Sequence, residues 1–243
     1  MADFSGVYDE TSRRLCEFVS SLSQADQRRP VPATPGWTVH DVVAHLTGDL
    51  AAVQADDFPS SFFAAPGDKD EVIKLNAWTA RMVDARRHRP TRDVLSEWEQ
   101  RTAAAMEMLR GEQPLPSGWP SFGHRVLISD IGVHEQDIYG AFGAVRERDC
   151  PAVRIGTSLY VAGMGLRLNG LDPVRFETDE KKYQAGEGEP GATARTTRFE
   201  LFRALSGRRG QDQIRTWEWT ADPEPYLRFF YIYGPRSEEL VEP

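Results

Sequence analysis

Across residues 4–142 the apolar side chains recur at helical spacing, and no other feature restricts the fold as much. Phe4, Val7, Tyr8, Leu15, Phe18, Val19 and Leu22 share one face, and Val39, Val42, Val43, Leu46, Leu50 and Val53 a second. Three more stripes follow: Val72, Leu75, Met82 and Val83, then Val94, Leu95, Trp98, Thr102, Met106 and Leu109, then Leu127, Ile131, Ile138 and Phe142. Each stripe needs others like it to leave water, so the spacing predicts a helical bundle. The breaks agree. After the Pro35-Gly36 turn, Thr38 opens Thr-x-x-Asp, a pattern in which a hydroxyl and a carboxylate satisfy each other's free backbone N–H groups at a helix start. Asp68 and Thr91 stand where later helices need caps, and Gly111 with the proline-bearing stretch 114–120 ends the fourth helix. The segment 57–67, with Phe58, Phe62 and Phe63, reads as a lid, an interface or a packed loop.

The texture changes near residue 145. Residues 153–168 keep a pattern compatible with helix, whereas Pro-Val-Arg-Phe-Glu-Thr from Pro173 reads as a strand. Gly186, Gly188, Pro190 and Gly191 mark a loop, and Phe199, Phe202 and Leu205 form a helical stripe closed by Gly207. Trp217-Glu-Trp and the run from Tyr226 to Tyr233 are strand-like. The expected division is a helical bundle over 1–147 and a small α+β domain over 148–243, so the fold class is α+β.

A net charge of −8 argues against a nucleic-acid partner, which needs a basic face. Cys16 and Cys150 are the only cysteines; two unpatterned thiols fit a reducing cytoplasm better than a disulfide framework. Asp3, Asp9 and Glu10 occupy the place where a secretory signal is basic, and no apolar run approaches the roughly 20 residues that span a bilayer. The expectation is a soluble cytoplasmic protein; the sequence assigns no oligomeric state.

The chemistry concentrates in His45, Asp130 and His134. On a helix, Asp130 and His134 project from one face a turn apart. His45 borders the face made by Val42, Leu46 and Val53. A carboxylate turned toward an apolar interior costs several kcal/mol unless it is paired or metal-bound. Spacing alone allows either a divalent metal held by two imidazoles and a carboxylate, or an Asp130–His134 hydrogen bond with His45 elsewhere in the core. His40 lies well round the helix from its stripe and reads as solvated, His88 sits in an exposed basic helix end, and His124 lies near the start of the fifth helix.

The words around these residues carry a resemblance. Trp37-Thr-Val-His-Asp-Val-Val-Ala-His-Leu resembles the Trp-Thr-x-x-Asp-(Leu/Val)-x-x-His-Leu signature of the mycothiol-dependent maleylpyruvate isomerase family, a branch of the DinB-like metalloprotein superfamily. Asp130-Ile-Gly-Val-His-Glu-Gln-Asp-Ile is similar to its second signature, (Glu/Asp)-x-x-x-His-x-x-Asp-Leu. The run from Phe199 through Ser-Gly-Arg-Arg to Ile214, then Trp219-Thr-Ala-Asp-Pro-Glu-Pro, is similar to the family's C-terminal domain. The resemblance implies a DinB-like four-helix bundle followed by a sterol-carrier-like α+β domain. It implies a divalent metal, zinc foremost, on His45, Asp130 and His134. Founding members carry Glu where this chain has Asp130, one methylene shorter. Asp137, a turn beyond His134, is placed to hydrogen-bond that imidazole, or to serve helix packing. Trp37 reads as a packing residue at the bundle end. Arg208 and Arg209 suit a helix C-terminus as cations, and, because the resemblance implies a second domain closing over the metal cleft, are also candidates for binding an anionic substrate.

Two imidazoles and one carboxylate leave zinc an open position, and nickel, iron and cobalt accept the same donors. A thiol entering there loses its proton, which raises the thiolate population of a free thiol roughly thirtyfold. Neither cysteine lies in a motif near the ligands, so the thiol is external, and the resemblance names mycothiol as cosubstrate. Its sulfur would attack an electrophilic small molecule, giving an S-transferase or a cis–trans isomerase; the Asp130 departure favours the transferase. No side chain is assigned as catalytic acid or base. The competing expectations are a metal-dependent hydrolase or oxygenase, in which Glu135 is the nearest acidic neighbour but points about 100° away into solvent, and a non-catalytic DinB-like binding or regulatory protein.

Overall fold

The computed structural model describes residues 3–57, 69–116, 119, 122–233, 236 and 238–242; the Asp68 cap and the aromatic stretch 58–67 lie outside the described residues. The N-terminal part contains α1 (Phe4–Ser21), α2 (Gln24–Gln27), α3 (Val39–Gln54), α4 (Lys69–Asp84), α5 (Thr91–Arg110) and α6 (Gly123–Gly140). Helix α1 packs on α5 and α6, and α3 packs on the same two, so α1 with α3 and α5 with α6 stand at opposite corners of a four-helix bundle. Tyr8, Leu15, Val19, Val42, Leu50, Val94, Trp98, Ile131 and Ile138 fill its core. Trp98 lies wholly inside, its indole N–H donating to the Tyr8 hydroxyl over 3.3 Å.

The start of α3 is the capping box that its sequence predicts. The Thr38 N–H donates to Asp41 Oδ2 at 2.9 Å, and the Asp41 N–H donates to Thr38 Oγ1 at 3.3 Å. Helix α5 ends at Gly111, whose φ of 77° is the left-handed conformation that favours glycine. At Thr91 the structure differs from expectation. Pro90 occupies the cap position, and Thr91 turns inward to meet His40.

Helix α3 is deeply enclosed, with Val39 through Gly48 all buried. Gly48 permits a close crossing, since a Cβ there would lie 2.5 Å from Met82 Cβ of α4. His40 is therefore buried rather than solvated. Its Nε2–H donates to the Arg86 carbonyl at 3.2 Å and its Nδ1 accepts from Thr91 Oγ1 at 2.9 Å, which offsets the cost of enclosing the ring.

The described residues separate into two compact units that change over between Arg146 and Glu147, with residues 69–72 at the start of α4 grouped with the second. The second opens with α7 (Pro151–Gly165), continues through β1 (Val174–Glu177), β2 (Lys182–Ala185), β3 (Ala192–Arg195), α8 (Arg198–Leu205) and α9 (Gln211–Arg215), and closes with β4 (Glu218–Trp219) and α10 (Glu224–Leu227). The sheet order is β2-β1-β3-β4, antiparallel except for the parallel pair β1–β3. Val174 pairs with Ala185 and with Ala192, and the glycine-rich loop joins these two partner strands. Met164, Phe176, Leu201, Leu205 and Phe230 build this unit's core. The stretch from Tyr226 is not a strand. Pro223 and Pro225 pre-set helical φ at its entrance, and Tyr226, Leu227, Phe229 and Phe230 are all buried, a spacing that a period-two strand does not give.

Candidate metal centre

Helices α3 and α6 lie side by side in the bundle, and their facing turns carry His45 from one and Asp130 with His134 from the other. Among the described residues these three form the cluster whose ligand atoms all lie within 4.8 Å of one another. His45 Nε2 stands 3.4 Å from Asp130 Oδ2, and His134 Nε2 stands 3.6 Å from Asp130 Oδ1. A tetrahedral ion at about 2.0–2.1 Å from its ligands separates adjacent ligand atoms by about 3.4 Å. The donor set suits such an ion, and the shorter aspartate reaches both imidazoles, one through each of its oxygens. The Asp130 side chain is 31% exposed while those of His45 and His134 are 9% and 6%, so the cluster opens toward solvent on its carboxylate side.

The two imidazoles differ in what stands behind them, a hydrogen bond at His134 and an ion-pair contact at His45. Asp137, enclosed on α6, places Oδ2 2.9 Å from His134 Nδ1. That contact favours the proton on Nδ1 and leaves the Nε2 lone pair facing Asp130. Asp49, one turn after His45 on α3, places Oδ1 3.3 Å from His45 Nδ1. Sequence reasoning missed Asp49, although His-x-x-x-Asp is the i,i+4 spacing that drew attention to Asp130 and His134, read in the opposite direction. The Trp37 ring, centred 5.1 Å from His45 and 6.2 Å from His134, lies against both imidazoles rather than merely closing the bundle end.

The electrostatics are those of two neighbouring carboxylates, Asp130 and Asp49, beside the two imidazoles. Burial raises the Asp130 carboxyl, but the neighbouring His45 and His134 outweigh it and hold it at about 2. Asp49 moves the other way, well above its ordinary value, because burial is reinforced by the Asp130 charge and only partly opposed by His45. Burial lowers His134, with Asp130 and Asp137 opposing.

The remaining candidates lie in different surroundings. Glu135 is fully buried instead of solvated, its Oε1 accepting from Arg14 Nε at 3.0 Å and Arg146 Nε at 3.2 Å. Ion pairing with two arginines is what makes enclosure of that charge tolerable, and it commits the carboxylate away from general-base work. His124 packs its ring 4.2 Å from Phe4. Cys16 and Cys150 are buried, and burial, with Glu99 and Glu17 adding to it, pushes the Cys16 thiol up to about 12.

Arg208 and Arg209 follow the C-terminal end of α8, and both are buried in the second unit. Glu200 grips Arg209 bidentately at 2.6 and 2.7 Å, and Glu242 Oε2 accepts from its Nη1 at 2.8 Å. All three Arg209 nitrogens thus have protein acceptors, which makes this guanidinium a tie within its own unit. Arg208 Nη1 donates to the Ser206 carbonyl.

A comparison with curated proteins finds no match. Among solved structures, a mycothiol-dependent maleylpyruvate isomerase aligns over 86% of this chain and 92% of its own with 14% identity and a TM-score of 0.55. A histidine-to-alanine mutant of a mycothiol-dependent maleylpyruvate isomerase aligns over 93% of this chain and 99% of its own with 15% identity and a TM-score of 0.57. At such identities the likeness speaks for the fold. The family model of the mycothiol maleylpyruvate isomerase N-terminal domain matches residues 8–139, more than half of the chain and the whole stretch that carries His45, Asp130 and His134, and the chain belongs to that family.

Proposed function

We propose that this chain is a metal-dependent enzyme that activates the thiol of mycothiol for attack on an electrophilic small molecule. The observation that carries the reading is the convergence of His45, Asp130 and His134 from two helices at spacings that suit one ion. Membership of a family named for a mycothiol-linked isomerase supports mycothiol as the thiol. Zinc held by these side chains would supply the positive charge that favours thiolate over thiol, since an ion of this kind dominates the pKa of a nearby sulfhydryl.

The chain's own residues do the rest. Asp137 keeps the His134 proton on Nδ1, so that Nε2 faces the cluster. Trp37 gives one side of the site an apolar wall that excludes water from the two imidazoles. The half-open Asp130 side sets the direction from which a cosubstrate reaches the cluster. No cysteine of the chain competes as nucleophile, because Cys16 is buried and held as thiol.

Addition of the mycothiol sulfur to one carbon of an electron-poor C=C forms an S–C bond as the π bond breaks, its electron pair passing to the electron-withdrawing group. Protonation of the other carbon then gives an S-conjugate. Rotation about the former double bond before protonation, followed by return of the electron pair and departure of the thiolate, gives the geometric isomer. We favour the transferase outcome, because Asp130 stands where the founding isomerases of the family carry Glu. The ion pairs that occupy Glu135 count against a hydrolase that uses it as base.

Protein loaded with zinc is expected to bind mycothiol, and both His45→Ala and His134→Ala are expected to lose that binding. Equal mycothiol binding in the parent and both variants would refute the proposal. A panel of electrophiles, assayed with and without mycothiol, separates transfer from isomerisation.

A further inference from the structure

We propose that Arg167 anchors an oxyanion-binding site in the second unit, independent of the metal centre, which takes the carboxylate or phosphate group of a small molecule on its Nε and Nη1. Arg167 follows the end of α7, next to Leu166, which is 79% exposed. Its side chain reaches the turn after α10, where Nη2 donates to the Phe229 carbonyl at 2.7 Å. Nε and Nη1 are shut off from water and meet no acceptor. A guanidinium carries five N–H donors in a planar fork, so one carbonyl leaves most of its capacity unused. The residue itself is partly exposed, so these nitrogens lie just under the surface, within reach of an anion after a side-chain movement.

Enclosing a cation is costly unless something neutralises it. Elsewhere in this unit something does. Buried Arg198 meets Asp149, and buried Arg203 and Arg209 both meet Glu242. Arg167 forms no ion pair with a described carboxylate, in a chain whose net charge is −8. Burial lowers its pKa to about 10, with no charged neighbour contributing, so the group remains a cation at neutral pH. Arg228 is exposed, lays its guanidinium 4.6 Å over the Phe229 ring, and is likewise without a carboxylate partner among the described residues. Two cations lacking counter-charges thus reach Phe229, one at its carbonyl and one at its ring. A tie to that carbonyl needs one donor, whereas two further donors held dry suit a charged, many-oxygen acceptor. The anchor is also pre-set. A Cβ at Gly165 would lie 2.5 Å from the Gly186 nitrogen, so the end of α7 sits hard against the loop after β2, and little ordering remains for a ligand to impose.

The test titrates the full chain with sodium succinate and, separately, with sodium phosphate, against sodium chloride at matched ionic strength. Nitrogen-15 NMR follows the arginine Nε–H resonances, and the one missing from Arg167→Met belongs to Arg167. That resonance is expected to move saturably with succinate, with phosphate or with both, and to stay in place with chloride. A response to succinate alone assigns the site to carboxylates, and a response to phosphate alone assigns it to phosphate groups. Affinity for the effective anion, by isothermal titration calorimetry, is expected to fall about tenfold or more in Arg167→Met, the loss that accompanies removal of charge-assisted hydrogen bonds. Arg228→Met, which removes an exposed charge, is expected to cost about threefold. Arg167→Lys keeps the charge without the fork, and gives a loss in the same direction should Arg167→Met fail to fold. An Arg167 that only ties α7 to Phe229 would lower the melting midpoint of Arg167→Met and leave anion binding as it is in the parent. An Arg167 resonance unmoved by both anions or moved equally by chloride, or anion affinity within about twofold of the parent in Arg167→Met or Arg167→Lys, overturns the inference.

Discussion

Glu97 on α5 anchors the corner of the bundle from which α3 is held, and replacing it by glutamine gives a sharp prediction. Arg86 donates to both of its oxygens, at 2.7 and 3.3 Å, Arg101 donates to Oε1 at 2.8 Å, and Arg89 to Oε2. Burial alone would raise this carboxyl, but the hydrogen bonds from Arg86, Arg101 and Arg89 outweigh it and hold the group at about 2, against an ordinary value of 4.5. A carboxyl depressed by folding stabilises the native state at pH above its unfolded value, and that contribution disappears as the pH falls through the folded value. The window here runs from 4.5 down to about 2. At about 1.36 kcal/mol per pH unit the ceiling is about 3 kcal/mol. Arg89 and Arg101 are 41% and 32% exposed, so solvent screens their share. About 2 kcal/mol remains, carried mainly by Arg86, which would be left buried without its counter-charge.

Glu97→Gln is therefore expected to lower stability by about 2 kcal/mol at neutral pH, a fall of roughly 4–8 °C in melting midpoint for a chain of this size. Urea and thermal unfolding followed by circular dichroism measure it. Parent and variant should converge as the pH is lowered from about 5 toward about 2, because the parent loses its advantage on protonation. A variant within about 0.5 kcal/mol of the parent at neutral pH, or a gap that persists undiminished near pH 3, would refute the reasoning. The Arg86 carbonyl also accepts from His40 Nε2, so this corner fixes the helix that presents His45 five residues later.

Two further outcomes follow from packing and from the imidazole contacts. Gly48→Ala gains about 1 kcal/mol of helix propensity but drives a methyl to 2.5 Å from Met82 Cβ, an overpacking cost of about 1–3 kcal/mol, so its melting midpoint should fall; a raised midpoint would show that α4 yields freely. Asp137→Ala removes the 2.9 Å contact to His134 Nδ1 and should weaken zinc binding about 10–100-fold in chelator competition, whereas affinity equal to the parent would leave Asp137 with a packing role alone.

Much of this molecule could be read along the chain. The capping box of Thr38 and Asp41, the termination at Gly111 and the stripes of α1 and α5 depend on residues a turn or two apart, and such neighbours meet in any context. The relation of Asp130, His134 and Asp137 was legible for the same reason, as all three ride on one helix. Periodicity lost its meaning where a helix has no solvent side. In α3 and in the stretch of α6 from Ile131 to Ile138 every face is covered, so His40 and Glu135 were placed in water when the fold encloses both. What admits them is pairing with Thr91 and the Arg86 carbonyl in one case and with Arg14 and Arg146 in the other, partners up to 121 positions distant. Arg208 and Arg209 are enclosed in the same way, and Glu242, one partner of Arg209, lies 33 positions beyond it. By itself the sequence determined the long helices of the N-terminal part and which residues on each share a face, though not the short α10, which it read as a strand. Only the tertiary structure decided that His45 meets the Asp130–His134 pair, because that approach is set by the packing of α3 against α6, and side-chain packing is a property of surfaces brought together rather than of any local run of residues.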